Sequence, residues 1–171
     1  MIGLAGKLPA HGDFVRRGGP ATLLLALDRW LDAELTRAGA IDAAIDRLDG
    51  WRFAVVAGGF PTLGAIVASG DAVGRRFPLI TTLTLAEGED VDIAAARNWT
   101  DAAAAAATVA HDEVMKADDL ARTLAAITRP VGGAGQAAAG WWRQGGGPAI
   151  LTDAGLPIGA DFALLIEENG R

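Results

Sequence analysis

Three strand-like runs between residues 51 and 85 constrain the fold of this chain more than any other feature. Residues 51–57 alternate large apolar side chains and then become wholly apolar, as a central strand does. Residues 63–68 and 77–85 are two further runs, separated from their neighbours by a turn signal at 58–62 and by a polar loop that contains glycine. Because connections this short cannot hold a crossover helix, they favour an antiparallel meander.

Helical patterns flank these strands on both sides. Residues 20–38 repeat leucine at i, i+3 and i+4 spacing, which predicts an amphipathic helix, and residues 41–48 repeat the pattern over a shorter length. Residues 91–116 predict a long helix whose central alanines permit close packing on a sheet. The side chains predicted to anchor that helix in the core are Trp99, Val109 and Val114.

The C-terminal part of the chain predicts shorter elements. A short helix is expected at 120–127, and Trp141 and Trp142 are interpreted as a strand with one ring in the core and the other more exposed. The remaining predicted elements are a turn at 145–148, a last strand at 149–151 and a closing helical turn at 161–166. Together these elements predict one α/β domain over residues 1–171, with a largely antiparallel or mixed sheet flanked by helices.

Composition excludes several classes of protein. The chain has no cysteine, so a disulfide framework, a thiolate nucleophile and a cysteine-based zinc site are not expected. A net charge of −6 argues against a general binder of nucleic acid or of anionic membranes. The apolar runs fall short of the roughly 20 residues of a membrane helix, and no signal peptide is visible. We therefore expect a protein of the reducing cytoplasm without membrane insertion.

Residues 6–18 concentrate glycine, proline and ionisable side chains in a short stretch. The stretch follows an apolar start and precedes the first amphipathic helix, so we interpret it as a shaped connection from a strand to a helix. Its three glycines permit positive φ or close backbone approach. Such a loop either carries function or covers and staples the core, and both interpretations stay open at this point.

Few side chains are suited to metal binding. His11 and Asp13 stand two residues apart and could present both side chains to one metal, but a pair of this kind more often forms a local hydrogen bond that rigidifies a turn. The run from His111 to Glu113 holds adjacent metal-capable side chains. Consecutive positions on a helix point about 100° apart, so this run is interpreted as a solvated helix face.

Nucleophilic and phosphate-binding motifs are also weak. Ser69 is the only serine, and a catalytic triad would require it to pair with His11 or His111. Asp71 and Arg75 are more simply interpreted as a structural ion pair. Residues 6–7 lack the remainder of a phosphate-binding loop motif. We therefore predict no catalytic residues, no metal ligands and no cofactor.

Four stretches in a fixed order carry a family resemblance. They are Gly6–Gly18, Leu27–Leu31, Trp51–Phe53 and Ser69–Leu79. Together with the Trp pair, the late Gly-Leu-Pro and Phe162, they cover nearly the whole chain. In this order they resemble the bacterial type VI secretion-associated TagF family, also called ImpM.

The resemblance implies a cytoplasmic three-layer α/β protein that represses type VI secretion post-translationally and brings no catalytic residues with it. It implies a forkhead-associated scaffold, or another component of the secretion apparatus, as binding partner. It further implies a functional link to a PP2C-type phosphatase and a threonine kinase pathway. The alternative is a small ligand-binding domain or enzyme that uses the glycine-rich loops at 6–18 and 69–78.

The two glycine-rich loops are expected to converge if the first strand and the strand at 77–85 are neighbours in the sheet. Asp13 and Asp71 would then face arginines of the two loops. The result is either a set of ion pairs that only fix loop shape or a docking surface anchored by arginine. The predicted partner-binding residues are Lys7, His11, Asp13, Arg16, Arg17, Asp71, Arg75 and Arg76.

Overall fold

The structure is a computed structural model that describes residues 1–132, 139–144 and 155–167. The strands are β1 (Ile2–Gly6), β2 (Val15–Gly18), β3 (Trp51–Ala57), β4 (Phe60–Val67), β5 (Leu79–Thr84) and β6 (Gly140–Arg143). The helices are α1 (Ala21–Ala38), α2 (Ile41–Leu48), α3 (Ile93–Asp112), α4 (Ala117–Ala126) and α5 (Ala160–Ile166). None of these helices combines the length and the apolar character that crossing a membrane requires.

The six strands of the described residues form one sheet in the order β2-β1-β5-β4-β3-β6. Every neighbouring pair is antiparallel, which confirms the predicted meander of β3, β4 and β5. The pairing of Ala5 with Ile80 places the end of β1 beside the start of β5. The loops that follow β1 and precede β5 therefore leave the sheet at the same end.

Helices cover both faces of the sheet, so the domain has three layers. One buried cluster joins α3 and α4 to the sheet, and a second cluster joins α1, α2 and α5 to its other face. Side chains along β3 alternate between the two clusters: Phe53 belongs to the α1 side and Ala54 to the α3 side. This alternation is the period of two that a strand covered on both faces requires.

The tryptophan pair lies on β6 with its rings on opposite faces, as the sequence predicts. Trp141 packs on Phe53, with ring centroids 4.7 Å apart, and Trp142 belongs to the α3 cluster. The prediction that one ring is more exposed is wrong, because their exposed fractions are 0% and 1%. Both rings are buried because helices cover both faces of the sheet.

Residues 6–18 do not form a simple connection from a strand to a helix. Val15–Gly18 is β2, which pairs with β1 in the register Gly6 with Val15 and Gly3 with Gly18. The stretch is therefore a hairpin whose loop covers 7–14. β2 is not recognisable in the sequence because two arginines, Arg16 and Arg17, interrupt its apolar pattern.

The turn between β3 and β4 is shorter than predicted. Only Gly58 and Gly59 form it, with φ of 56° and 85°, which is the conformation of a tight two-residue hairpin. Phe60–Thr62 already belongs to β4. Pro61 lacks an N–H but contributes its carbonyl, which accepts a hydrogen bond from the Leu85 N–H at 2.8 Å.

Helix α3 is shorter than predicted, and two of its predicted anchors are wrong. Trp99 is buried, but Val109 and Val114 are 44% and 56% exposed. The buried face consists mainly of alanines, whose small side chains allow α3 to approach the sheet. The closing helix is confirmed as α5, whereas the turn predicted at 145–148 and the strand at 149–151 lie outside the described residues.

Candidate functional site

The two glycine-rich loops converge, as the sequence analysis expects. The N–H of Ala72 donates to the His11 carbonyl at 2.9 Å, and the Arg75 guanidinium donates to the Gly12 carbonyl at 2.6 Å. The rings of Phe14 and Phe77 meet edge to face with centroids 5.3 Å apart. We call residues 6–18 and 69–78 together the loop surface.

Asp71 is a buried side chain that fixes the conformation of the loop surface. Its Oδ1 accepts hydrogen bonds from the N–H groups of Val73 and Arg75 at 3.1 and 2.9 Å. Its Oδ2 accepts from Arg75 Nε at 2.7 Å and lies 3.1 Å from Lys7 Nζ. Because both oxygens are occupied and the side chain has no exposed area, Asp71 is a structural staple.

The surroundings of Asp71 lower its pKa. Burial alone would raise the pKa of this carboxyl, but the hydrogen bonds from the Arg75 backbone, the Lys7 and Arg75 side chains and the Val73 backbone outweigh burial. The pKa of Asp71 therefore lies well below its usual range. The carboxylate stays ionised, as its role in holding the loop requires.

The other arginines of the loop surface pair with helices instead of with its acidic residues. Arg16 pairs with Asp28 of α1, Arg17 with Asp118 of α4, and Arg76 with Asp46 of α2. The expectation that Asp13 faces an arginine is wrong: Asp13 is exposed and has no ion pair with any described residue. The Arg16 guanidinium instead lies over the Phe14 ring, 4.7 Å from its centroid.

His11 is a structural residue. Its Nε2 accepts a hydrogen bond from the N–H of Ala117, the first residue of α4, at 3.0 Å. A first-turn N–H has no partner within its own helix, so this bond satisfies a group that would otherwise need water. His11 and Asp13 do not converge on a metal, and no group of three potential ligands occurs among the described residues.

His111 contacts the loop surface at Ser69, the pairing that the sequence names only as a requirement of a catalytic triad. Its Nδ1 lies 3.1 Å from the Oγ of Ser69, which is only 3% exposed. The hydroxyl of Ser69 also donates to the Lys7 carbonyl at 2.7 Å, so Nδ1–H donates to Oγ. An imidazole that donates to a serine does not activate it as a nucleophile.

A small open pocket lies where the two loops meet α3. Its volume is about 250 Å³, and its lining includes Ser69, Gly70, Gly74, Arg76 and His111. The interpretation of His111–Glu113 as a solvated face is confirmed for Asp112 and Glu113, which are exposed, but not for His111, which contacts Ser69. The contact joins positions 42 residues apart. The only sequence signal for it is that His111 is one of two histidines in the chain.

A larger open cavity of about 620 Å³ lies at the opposite end of the strands. Its lining is mainly apolar and includes Pro20, Val56, Phe60, Pro61 and Leu85. None of the predicted partner-binding residues reaches it. The polar groups described above therefore lie at the smaller pocket and the loop surface, and not at the larger cavity.

Comparison with known proteins gives the following matches. The family model of the TagF N-terminal domain, described as type VI secretion system-associated, matches residues 3–127. A crystal structure of PA0076 from Pseudomonas aeruginosa PAO1 shares the fold with a TM-score of 0.69 at 22% sequence identity. That alignment covers 100% of this chain and 96% of PA0076. No curated protein matches the sequence.

Proposed function

The chain belongs to the family of TagF N-terminal domains, which are associated with type VI secretion, and on that premise we propose that it represses this secretion by binding a protein partner. It acts in the cytoplasm and performs no catalysis. Its partner is a component of the secretion apparatus such as a forkhead-associated scaffold. This repression belongs to a pathway that also contains a PP2C-type phosphatase and a threonine kinase.

The ion-paired arginines of the loop surface are the observation that carries this proposal. Arg16, Arg17 and Arg75 have side chains that are 45%, 40% and 59% exposed, yet each is fixed by an ion pair. Arginine is enriched at the energetic centres of protein interfaces. A surface whose side chains are already ordered loses less conformational entropy on binding. These features suit a docking module better than an active site.

The alternative function is a small enzyme or ligand-binding domain, and the Ser69–His111 contact favours it. The direction of the Ser69 hydrogen bond argues against nucleophilic chemistry. We expect Ser69→Ala to retain full repression of secretion, since the repressor needs no nucleophile. Loss of repression in a folded Ser69→Ala variant would favour the enzyme instead.

Charge reversal at Arg76 tests the docking surface. Arg75 is a poor choice, because its replacement would deprive the buried Asp71 of the hydrogen bond from Arg75 Nε, and a glutamate would place a second negative charge beside it. Among the described residues, Arg76 forms one ion pair, with Asp46, whose side chain is 62% exposed, so loss of that pair costs at most about 1 kcal/mol of stability. We expect Arg76→Glu to weaken partner binding about tenfold or more and to relieve repression.

The matched control is Arg129→Glu. Arg129 is 45% exposed and paired with Glu89, but it lies outside the loop surface. Secretion in cells that carry the secretion genes, a pull-down of partners and thermal unfolding are measured for both variants. If Arg76→Glu represses secretion and retains its partners as the wild type does, the loop surface is not the docking site.

A further inference from the structure

The first turn of α4 is capped by a side chain from a distant part of the chain. Lys116 occupies the N-cap position of α4, and its side chain makes no capping hydrogen bond. Helices usually begin after Ser, Thr, Asp or Asn, because these side chains accept a hydrogen bond from a first-turn N–H. In α4 the acceptor is instead His11 Nε2, which binds the N–H of Ala117 at 3.0 Å. His11 therefore supplies the cap that the local sequence lacks.

The direction of this hydrogen bond fixes the protonation state of the His11 ring. A backbone N–H can only donate, so Nε2 must carry a lone pair and the hydrogen of the neutral ring lies on Nδ1. Protonation of Nε2 would place two donors against each other and break the bond. Histidine is the side chain that ordinarily changes charge between about pH 5 and 8. The cap of α4 is therefore sensitive to acid in that range.

The charged groups around His11 keep their charge over the same range. The hydrogen bond and the charge of Arg17 lower the pKa of Asp118, so this carboxylate stays ionised. Its attraction offsets part of the repulsion between an imidazolium and the positive end of the α4 dipole. Aspartate, lysine and arginine ordinarily change charge outside this range. Further charged side chains of the segments that meet His11 are Lys7, Asp13, Arg16, Asp71, Arg75, Lys116 and Asp119.

The ion pair between Arg17 and Asp118 is a second tie between residues 6–18 and the first turn of α4. The two side chains are 40% and 72% exposed, so salt screens their attraction. The bond between His11 and Ala117 joins neutral groups, and salt does not screen it in this way. One tie therefore responds to pH and the other to ionic strength.

We propose that His11 is a pH-sensitive switch, which ties the first turn of α4 to the loop surface when its ring is neutral and releases that turn when its ring is protonated. The His11 carbonyl accepts a hydrogen bond from the Ala72 N–H, so this one residue connects α4 with both glycine-rich loops. Acid therefore loosens the loop surface on its α4 side. The switch goes beyond the proposed function and does not depend on it.

An NMR titration of the isotope-labelled full chain from pH 8 to pH 5 tests the switch. We expect the Ala117 amide signal to shift with the same midpoint as the His11 ring. Hydrogen exchange supplies a second readout, with the Ala95 amide as internal reference, because that amide donates to Asp92 at 2.9 Å in the first turn of α3. Relative to Ala95, the Ala117 amide is expected to lose about two- to tenfold of its protection at pH 5.

Three variants assign the response to His11. The side chain of His11→Gln offers an acceptor oxygen but does not titrate, so the protection of Ala117 relative to Ala95 is expected to be the same at pH 8 and pH 5. The matched control His111→Gln, which replaces the other histidine of the chain, is expected to respond to acid as the wild type does. Arg17→Gln lacks the second tie, and we expect its acid response to be larger than that of the wild type.

Equal protection of Ala117 at pH 8 and pH 5 in the wild type would overturn the proposal. An acid response that persists in His11→Gln would also overturn it. Neither measurement involves a partner, so failure of the switch leaves the proposed docking function standing. Failure of the docking function likewise leaves the switch standing.

Discussion

Val114 is the one non-glycine residue of the described chain with a positive φ, at 53°. It follows the C-terminal end of α3, where the N–H of Met115 donates to the Ala110 carbonyl at 2.9 Å. The N–H of Val114 donates to the His111 carbonyl at 3.3 Å. These two bonds are those of the helix ending that normally has glycine at the position of Val114. A β-branched residue is strained there.

We expect Val114→Gly to stabilise the protein by about 0.5–1 kcal/mol. The left-handed conformation costs an L-residue roughly 1–2 kcal/mol, and the greater freedom of glycine in the unfolded chain offsets part of the gain. Val114 is 56% exposed, so little packing is lost. Urea unfolding measures the change.

The control for this prediction is Val109→Gly. Val109 has a similar exposure of 44% but lies inside α3. Glycine in a helix is less favourable than valine, so we expect this variant to lose about 0.5 kcal/mol. If both variants are destabilised equally, strain at Val114 is not the reason for either change.

At the scale of elements, the packing of β3 against β4 depends on a glycine, which has no side chain. Gly64 of β4 is paired with Phe53 of β3, and the Phe53 ring lies over the glycine. A Cβ built on Gly64 would lie 2.1 Å from Phe53 Cζ. The Phe53 ring is fully buried and packs on Trp141 of β6, so it cannot move aside freely.

We expect Gly64→Ala to destabilise the protein by about 1–3 kcal/mol, because the added methyl group displaces a ring in a close-packed core. Gly12→Ala is the control: a Cβ there meets no atom within 4 Å, so its effect is expected to stay within about 0.5 kcal/mol. Urea unfolding and the near-ultraviolet circular dichroism of the tryptophans report the change. A neutral Gly64→Ala would mean that the three central strands shift easily.

At the scale of the whole molecule, the buried carboxylate of Asp71 links loop structure to pH. Its pKa is lowered in the folded protein, so its contribution to stability is present above the unfolded pKa of about 3.9 and is lost as the pH falls below that value. The pKa values of Asp46, Glu89 and Asp118 are also lowered by their arginine partners. These pairs act in the same direction but are exposed to solvent, which weakens them.

Replacement of Asp71 by asparagine is expected to make unfolding less dependent on acid. At pH 7, Asp71→Asn should be less stable than the wild type, because its neutral amide does not satisfy Lys7 and Arg75. The difference should shrink below about pH 4, where the wild-type protein begins to lose the contribution of this carboxylate. Urea midpoints at pH 7, 4 and 3 measure it. The control Asp13→Asn removes an exposed carboxylate that pairs with no described residue, and it should be as stable as the wild type at pH 7 within about 0.5 kcal/mol.

Local periodicity explains most of what could be predicted of the fold. The alternation of 51–57, the leucine spacing of α1 and the alanine-rich α3 are properties of short segments. The boundaries were less predictable: β2 is stabilised by its pairing with β1, which its own four residues do not reveal. One ring of the Trp141–Trp142 pair was expected to be more exposed, because the sequence shows only that the two rings alternate, and not what covers each face.

The candidate site also has some features that the local sequence predicts and others that depend on tertiary contacts. The sequence by itself determined that glycines, arginines and Asp71 are concentrated in two loops, and that Asp71 and Arg75 stand close enough to pair. Only the tertiary structure decided that His111 contacts Ser69, that His11 binds the first N–H of α4, and that Arg16, Arg17 and Arg76 pair with three different helices. The physical reason is sequence separation. Asp71 and its partner are four residues apart, whereas the contact of His11 with α4 joins positions 106 residues apart. Such a contact forms only after the sheet has brought its two partners together.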